Sequence, residues 1–340
     1  MKILAIETSC DETSAAVVDN GPSTSLGTSI KVLSNIVSSQ VDFHRKYGGI
    51  VPEIASRKHA ELINPVIAEA LEQAKIKSKE VDAIAVTYGP GLPGALLVGI
   101  CAAKALSYSL NIPIISVNHI VGHIYANFIA GKPKFPFICL VVSGGHTELI
   151  LVKGHGSYES IGRTRDDAAG EAFDKVARYL GLGYPGGPII DQMSKDGDPT
   201  AIDFPRGMMN GNYDFSFSGL KTAVVYYVKK NPDYRSVIGI NNLVASFQAA
   251  IVDVLIDKTL KAAQEYKCNT IALAGGVSAN SKLRDDMKQK GEGAELEVLI
   301  PEMKYCTDNA VMIAVAGYYL SQGMKLDKGM DMVIVPNLRI

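Results

Sequence analysis

The chain has 340 residues, more than one hydrophobic core usually supports, so its length admits two domains. It is 47% hydrophobic and 20% charged, an ordinary globular balance that gives no sign of long disorder. Lys and Arg number 34 against 35 Asp and Glu, a net charge of −1, so the surface as a whole is not one that grips nucleic acid unaided. Any RNA contact falls to a local patch or to a partner.

Five cysteines (Cys10, Cys101, Cys139, Cys268, Cys306) are scattered and never spaced as CxxC, which suits a reducing compartment and argues against a disulfide framework or a zinc ribbon. The N-terminus meets Glu7 after a short apolar run and does not read as a signal peptide. The apolar stretches around 94–103 and 311–320 fall short of the roughly 20 residues of a membrane helix. The expectation is a cytoplasmic protein with no membrane contact.

In chain order, Lys2–Glu7 reads as a buried strand, Thr8–Ser14 as a polar turn and Ala15–Val18 as a second strand. Apolar positions over 53–74 recur at helical spacing, with Pro65 expected to kink or split the helix. Ala83–Thr87 is a strand, Gly89–Gly94 a loop, and a helix follows to about Leu110. Ile112–Val117 is another strand, after which Asn118 stands where a helix N-cap belongs. The plan then restarts: strand Phe137–Val142, glycine turn Ser143–Thr147, strand Glu148–Lys153. This repeat of strand, small turn and strand is a weak internal duplication and predicts an α/β protein of two similar lobes around a cleft. The helix over Asp308–Ser321 and the tail Met332–Val335 are expected to return to the first lobe.

Three groups of residues carry chemistry. Ser143-Gly144-Gly145-His146 and Gly275-Gly276-Val277-Ser278-Ala279-Asn280 are glycine turns at strand ends, where bare backbone amides can approach an anion. Singly each reads as a tight turn; with the Thr8–Ser14 turn they read as a nucleotide cleft. His119 and His123 stand at i and i+4 on one helix face, a spacing a transition metal can bridge, and Gly122 leaves room beside them. Asp308 is the candidate third ligand, with Cys306 competing and with a helix N-cap as its bland alternative. His59 and His146 are weaker candidates. Lastly, Asp166–Lys175 reads as an acidic helix start on which Glu171 and Asp174 share a face, Tyr184–Asp191 as a tight loop entering a helix, and Ser216–Thr222 as a loop before a helix.

Taken together, Ile6-Glu7-Thr8-Ser9-Cys10-Asp11-Glu12-Thr13, Asn118–His123, Val142–Thr147, Gly170–Lys175, Phe217–Thr222 and Gly275–Asn280 resemble the TsaD family over residues 3 to about 320. The resemblance implies an actin-like (ASKHA, RNase H-like) ATPase fold. It divides the chain into 1–118 plus about 322–340 and 119–321. It also implies transfer of a threonylcarbamoyl group from threonylcarbamoyl-AMP to N6 of adenosine-37 in tRNAs reading ANN codons, with release of AMP. His119, His123 and Asp308 would bind one iron or zinc ion per subunit. Val142, Ser143, Gly144, Gly145, His146, Asp174, Gly187, Asp191, Gly275, Gly276 and Asn280 would line the site of an adenylate, or of ATP or ADP with Mg. Asp11 and Glu12 are the catalytic candidates, orienting the transferred group or its proton. TsaB-like and TsaE-like proteins are the implied partners.

Among the rivals, a metalloprotease lacks its glutamate, because Ile120 stands at that position. A sugar or acid kinase of the same superfamily suits the glycine loops but has no use for the histidine pair. A non-catalytic scaffold has no use for the metal ligands.

Overall fold

Apolar residues with β-branched side chains dominate the buried strands, and where they run unbroken both faces of the strand are covered. The computed structural model describes residues 1–21, 30–129, 131–209, 211–323 and 326–340. These divide into two compact units, Met1–Lys132 with Pro301–Ile340, and Pro133–Ile300.

In the first unit, β1 (Lys2–Glu7), β2 (Glu12–Asn20), β3 (Ile30–Ser39), β4 (Ala83–Gly89) and β5 (Ile114–Asn118) form one sheet in the order β3-β2-β1-β4-β5. The first three strands make an antiparallel meander, and β1, β4 and β5 run parallel, with Ile6 opposite Val86 and Thr87 opposite Val117. Helices α1 (Val41–Arg45), α2 (Pro52–Ala74), α3 (Pro93–Leu110) and α4 (His119–Tyr125) interrupt the strands. Leu4, Ile6, Val86 and Ile100 belong to the core between sheet and helices.

Two expectations change here. Helix α2 runs through Pro65 and is not split by it; Pro65 lies on the exposed face, where water can take the carbonyl that proline leaves without a donor. Helix α3 is long and apolar enough to cross a membrane by length and composition alone, although 33% of that window is buried and the helix packs on α2 and β4.

The second unit begins with β6 (Phe137–Val142), β7 (Thr147–Gly154) and β8 (Ser157–Arg163), followed by α5 (Ala169–Tyr179), α6 (Gly186–Ser194), α7 (Ser218–Lys230), α8 (Tyr234–Val237) and α9 (Ile240–Glu265). It ends with β9 (Thr270–Ala274), α10 (Ser281–Gly293) and β10 (Glu297–Leu299). Its sheet has the order β10-β9-β6-β7-β8, again an antiparallel meander with two parallel strands beside its first strand. Counted within each unit, both sheets therefore read 3-2-1-4-5, and the duplication suspected from turn chemistry is one of topology. Phe173 of α5 meets Phe247 of α9 edge-on, with ring centres 5.5 Å apart in this unit's core.

The chain then re-enters the first unit with α11 (Ala310–Ser321), which packs on β1, β2 and α4. Its tail follows: Val335 N–H donates to the Tyr88 carbonyl at 2.8 Å and Lys104 Nζ to the Met332 carbonyl at 2.7 Å. The sequence reading drew its boundaries after 118 and 321, whereas the compact units meet at 132/133 and 300/301. The difference is α4 and α11, whose apolar faces are buried against the first sheet and each other.

Candidate metal centre and nucleotide loops

Strand β5 delivers Asn118, whose side-chain oxygen accepts from the amides of Ile120 (2.8 Å) and Val121 (3.3 Å) and starts α4. His119 and His123 follow one turn apart, their rings edge-on with centres 4.6 Å apart. Both are buried, His123 completely. The third donor comes from the far end of the chain. Asn309, not Asp308, caps α11, its side chain accepting from Met312 N–H at 3.1 Å. Asp308, spared from capping, places Oδ1 3.0 Å from His123 Nε2 and 3.6 Å from His119 Nε2. Metal bonds of about 2.1 Å in a tetrahedron set donor atoms roughly 3.4 Å apart; the two Asp308 pairs match this and all three donors lie within 4.8 Å of one another, so the group could hold a divalent transition metal. Cys306 is no rival, because its thiol turns to the Pro301 and Glu302 carbonyls at 3.6 and 3.5 Å. At Gly122 a Cβ would lie 2.6 Å from Ile313 Cδ1 and 3.3 Å from Met312 Cγ, so the bare position gives room to the side chains of α11.

Behind His119, Nδ1 lies 3.2 Å from Glu7 Oε2 and 3.0 Å from Ser9 Oγ. Burial opposes the His119 cation, but the Asp308 and Glu7 carboxylates outweigh it and raise the pKa to about 9 without metal. Around the Thr8–Ser14 turn, His59 acts as a bolt. Its Nε2–H donates to the Cys10 carbonyl at 3.0 Å, so Nδ1 accepts the Thr13 hydroxyl at 2.8 Å. Ser39 Oγ–H donates to Glu12 at 3.1 Å. Burial and the Asp11 and Asp308 charges push the Glu12 carboxyl well above its ordinary range. Burial and Asp11 do the same to the Cys10 thiol, which is therefore a poor nucleophile.

In the second unit the Ser143–His146 turn is closed by Ser143 N–H donating to the His146 carbonyl at 2.8 Å and His146 N–H to Ser143 Oγ at 3.1 Å. Gly144 and Gly145 face open space, and so does Gly187. Gly275 differs: with φ +85° and the Val142 carbonyl oxygen 2.4 Å from where a Cβ would be, the fold itself demands glycine there. Three side chains tie together the helices around these loops. Asp174 of α5 accepts from Gly186 N–H at 2.7 Å where α6 begins. Asp191 of α6 accepts from the Ser281 amide (3.2 Å) and hydroxyl (2.8 Å) where α10 begins. Asn280 caps α10 through Leu283 N–H at 2.9 Å and donates to Gln248 of α9 at 2.7 Å.

Comparison with known proteins decides the family. The family model described as TsaD, tRNA N6-adenosine threonylcarbamoyltransferase, matches residues 31–315. The chain belongs to the TsaD family. A relative in Dehalococcoides mccartyi, named tRNA N6-adenosine threonylcarbamoyltransferase, is 54% identical over 341 residues, spanning 100% of this chain and 99% of that one. In fold, T. kodakarensis HypF is similar at TM-score 0.61 and 13% identity, covering 94% of this chain and 47% of HypF, so this chain spans about half of that protein. Component A of the (R)-2-hydroxyglutaryl-CoA dehydratase of Acidaminococcus fermentans is similar at TM-score 0.53 and 13% identity, covering 95% and 98%. The fold is the actin-like ATPase fold.

In this TsaD-family chain the structure brings His119, His123 and Asp308 together, and it links the 142–146 turn to the starts of α5, α6 and α10. Asp166 and Asp167 are not a helix start, since α5 begins at Ala169. Asp166 accepts from Ser216 Oγ and the amides of Phe217 and Ser218, and Asp167 from Lys175 and Lys221. Glu7, Thr87 and Gln248 escaped sequence reasoning. Glu7 closes an apolar strand, Thr87 sits inside another, and Gln248 lies mid-helix, so no local pattern distinguishes them.

Proposed function

We propose that this chain is a tRNA N6-adenosine threonylcarbamoyltransferase using threonylcarbamoyl-AMP. The observation that carries the reading is the convergence of two buried imidazoles and a carboxylate in a member of the TsaD family. His119, His123 and Asp308 hold iron or zinc, which supplies a Lewis acid to polarise a substrate oxygen. The amides of the 142–146 turn and of the Gly275-Gly276 loop receive the phosphate, whether of the adenylate or of ATP or ADP with Mg. Gly187 lets the ligand approach the start of α6. Asp174, Asp191 and Asn280 hold helix N-termini, and the carboxylates' further lone pairs accept ribose hydroxyls. In the reaction N6 of adenosine-37 bonds to the carbamoyl carbon, the anhydride C–O bond breaks, and AMP leaves with the electron pair. Glu12, basic for a carboxylate, takes the N6 proton, and Asp11 fixes it on its turn. TsaB-like and TsaE-like partners complete the assembly, in keeping with a chain of net charge −1 that has no overall basic excess for tRNA. The cytoplasm keeps the free cysteines reduced.

Mass spectrometry of tRNA nucleosides after incubation with threonylcarbamoyl-AMP, unmodified tRNA and the partners tests this. Wild type should form N6-threonylcarbamoyladenosine and His119→Ala should form none. ATP-dependent phosphorylation of a small metabolite with no modified adenosine would transfer the case to the kinase, which nothing in the comparisons favours.

A further inference from the structure

We propose that Glu7 is the positioning residue of the metal centre, accepting the Nδ1–H of His119 and so leaving Nε2 as a bare lone pair toward the metal. The inference rests on the metal reading above. Glu7, Thr87 and His119 come from the carboxyl ends of three neighbouring parallel strands, since β1 lies beside β4 and β4 beside β5, whose last residue precedes His119. The sheet register thus brings together residues far apart in the chain.

Glu7 is fully buried, and its carboxylate is surrounded by donors. Oε1 accepts from Ser9 N–H at 2.5 Å, and Oε2 accepts from Thr87 Oγ–H at 2.6 Å. An ionised carboxylate can only accept, so the third group facing it, His119 Nδ1 at 3.2 Å, must bring a proton. Ser9 Oγ, 3.0 Å from the same nitrogen, can either share that proton or offer its own. If Ser9 donated, the Nδ1 lone pair would face the Glu7 oxygen, two acceptors against each other in a buried site. Once a metal displaces the Nε2 proton that the ring carries in its absence, Glu7 selects the tautomer that keeps hydrogen on Nδ1 and turns Nε2 toward Asp308 and His123. Hydrogen-bonded carboxylates behind ligating histidines orient the ring and raise its basicity, and their loss typically costs 10–100-fold in metal affinity. Among the described residues nothing comparable stands behind His123, whose Nδ1 is buried without a hydrogen-bond partner there. The pre-orientation of the pair falls on His119.

The test reads metal binding and tautomer, not turnover. Zinc affinity is measured by chelator competition on the full-length protein, and long-range proton–nitrogen NMR of histidine-labelled protein reports which nitrogen of each of the six histidines carries hydrogen. In the zinc-bound wild type, His119 should show a protonated Nδ1 and a metal-bound Nε2. Glu7→Gln should bind zinc about 10–100-fold more weakly, because an amide must turn one donor against a donor. Thr87→Val, which keeps Glu7 but removes one of its supports, should fall between. A wild-type His119 that binds zinc through Nδ1 overturns the inference even if no variant folds. A folded Glu7→Gln with wild-type affinity overturns it too, as does a loss confined to Ser9→Ala. A wild type that takes up no zinc removes the metal reading itself, and this inference with it.

Discussion

A Cβ at Gly170 would stand 2.6 Å from the Ser143 carbonyl oxygen and 2.8 Å from Gly144 Cα, where only backbone could yield. Gly170 N–H also donates to that carbonyl at 3.2 Å, so α5 is seated directly on the turn. Gly170→Ala should cost about 1–3 kcal/mol of stability by overpacking and, by displacing the turn, weaken AMP binding at least tenfold. Gly187→Ala meets nothing within 4 Å. It should leave stability unchanged or raise it by up to about 1 kcal/mol, while still weakening AMP if the nucleotide occupies that space. Thermal unfolding and AMP calorimetry on both variants separate a glycine kept for packing from one kept for a ligand. Sequence alone could find the glycine turn, because paired glycines at a strand end are a local signal. It could not sort these glycines, because the atoms that would clash belong to distant segments. Asp308 and Asn309 show the same limit: both are good capping residues, and only the path of α11 decides which one caps.

Among elements, three consecutive residues clasp the segment before α7, the first turn of α7 and Lys175 of α5. Arg165 pairs with Asp214, Asp166 holds Ser216, Phe217 and Ser218, and Asp167 holds Lys175 and Lys221. Burial works to raise the Asp166 and Asp167 pKa values. The Ser216 hydroxyl with the Phe217 and Ser218 amides, and the two lysines respectively, outweigh it, so both lie below the usual carboxylate range. A depressed carboxyl stabilises the fold above its unfolded pKa of about 3.9 and loses that contribution as pH falls through its lower folded value. Denaturant midpoints should therefore drop as pH falls below about 4. Asp167→Asn should be less stable by about 1 kcal/mol at pH 7 and converge on wild type in acid. A parallel offset at every pH would remove the clasp as the cause. The acidic run was legible as charge near a helix, but apart from Lys175 its partners come from residues 214–221, beyond the reach of a helical pattern. Strand β3, an edge strand of mixed burial, was missed because neither alternation nor a continuous apolar run marks it.

At the scale of the molecule, one wiring plan is used twice and each copy presents different candidate chemistry: a His-His-Asp group that could hold a metal in the first unit, and glycine turns at strand ends in the second. The buried first strands of both halves were readable almost to the residue because Ile3–Ile6 and Phe137–Val142 are unbroken apolar runs. The boundaries between units were not, since α4 and α11 are joined to the first sheet by packing that leaves no mark in the linkers. Metal held by one unit should stabilise the fold by mass action, about 2.7 kcal/mol at a hundredfold excess over Kd. That corresponds to a rise of roughly 5–10 °C in the midpoint of the first unit. His123→Ala should show no rise on calorimetry with zinc, and a rise equal to wild type would place the ion elsewhere. The adjacency of Asp308 and Asn309 has a further consequence for how the chain tolerates insertions and deletions. Deleting Asn309 would leave Asp308 next to Ala310, and aspartate caps a helix as well as asparagine does. The protein would then fold around α11 with its cap restored and its third donor gone. Between Tyr305 and Ala310, the spacing of the chain matters more to the metal centre than the mere presence of a capping residue.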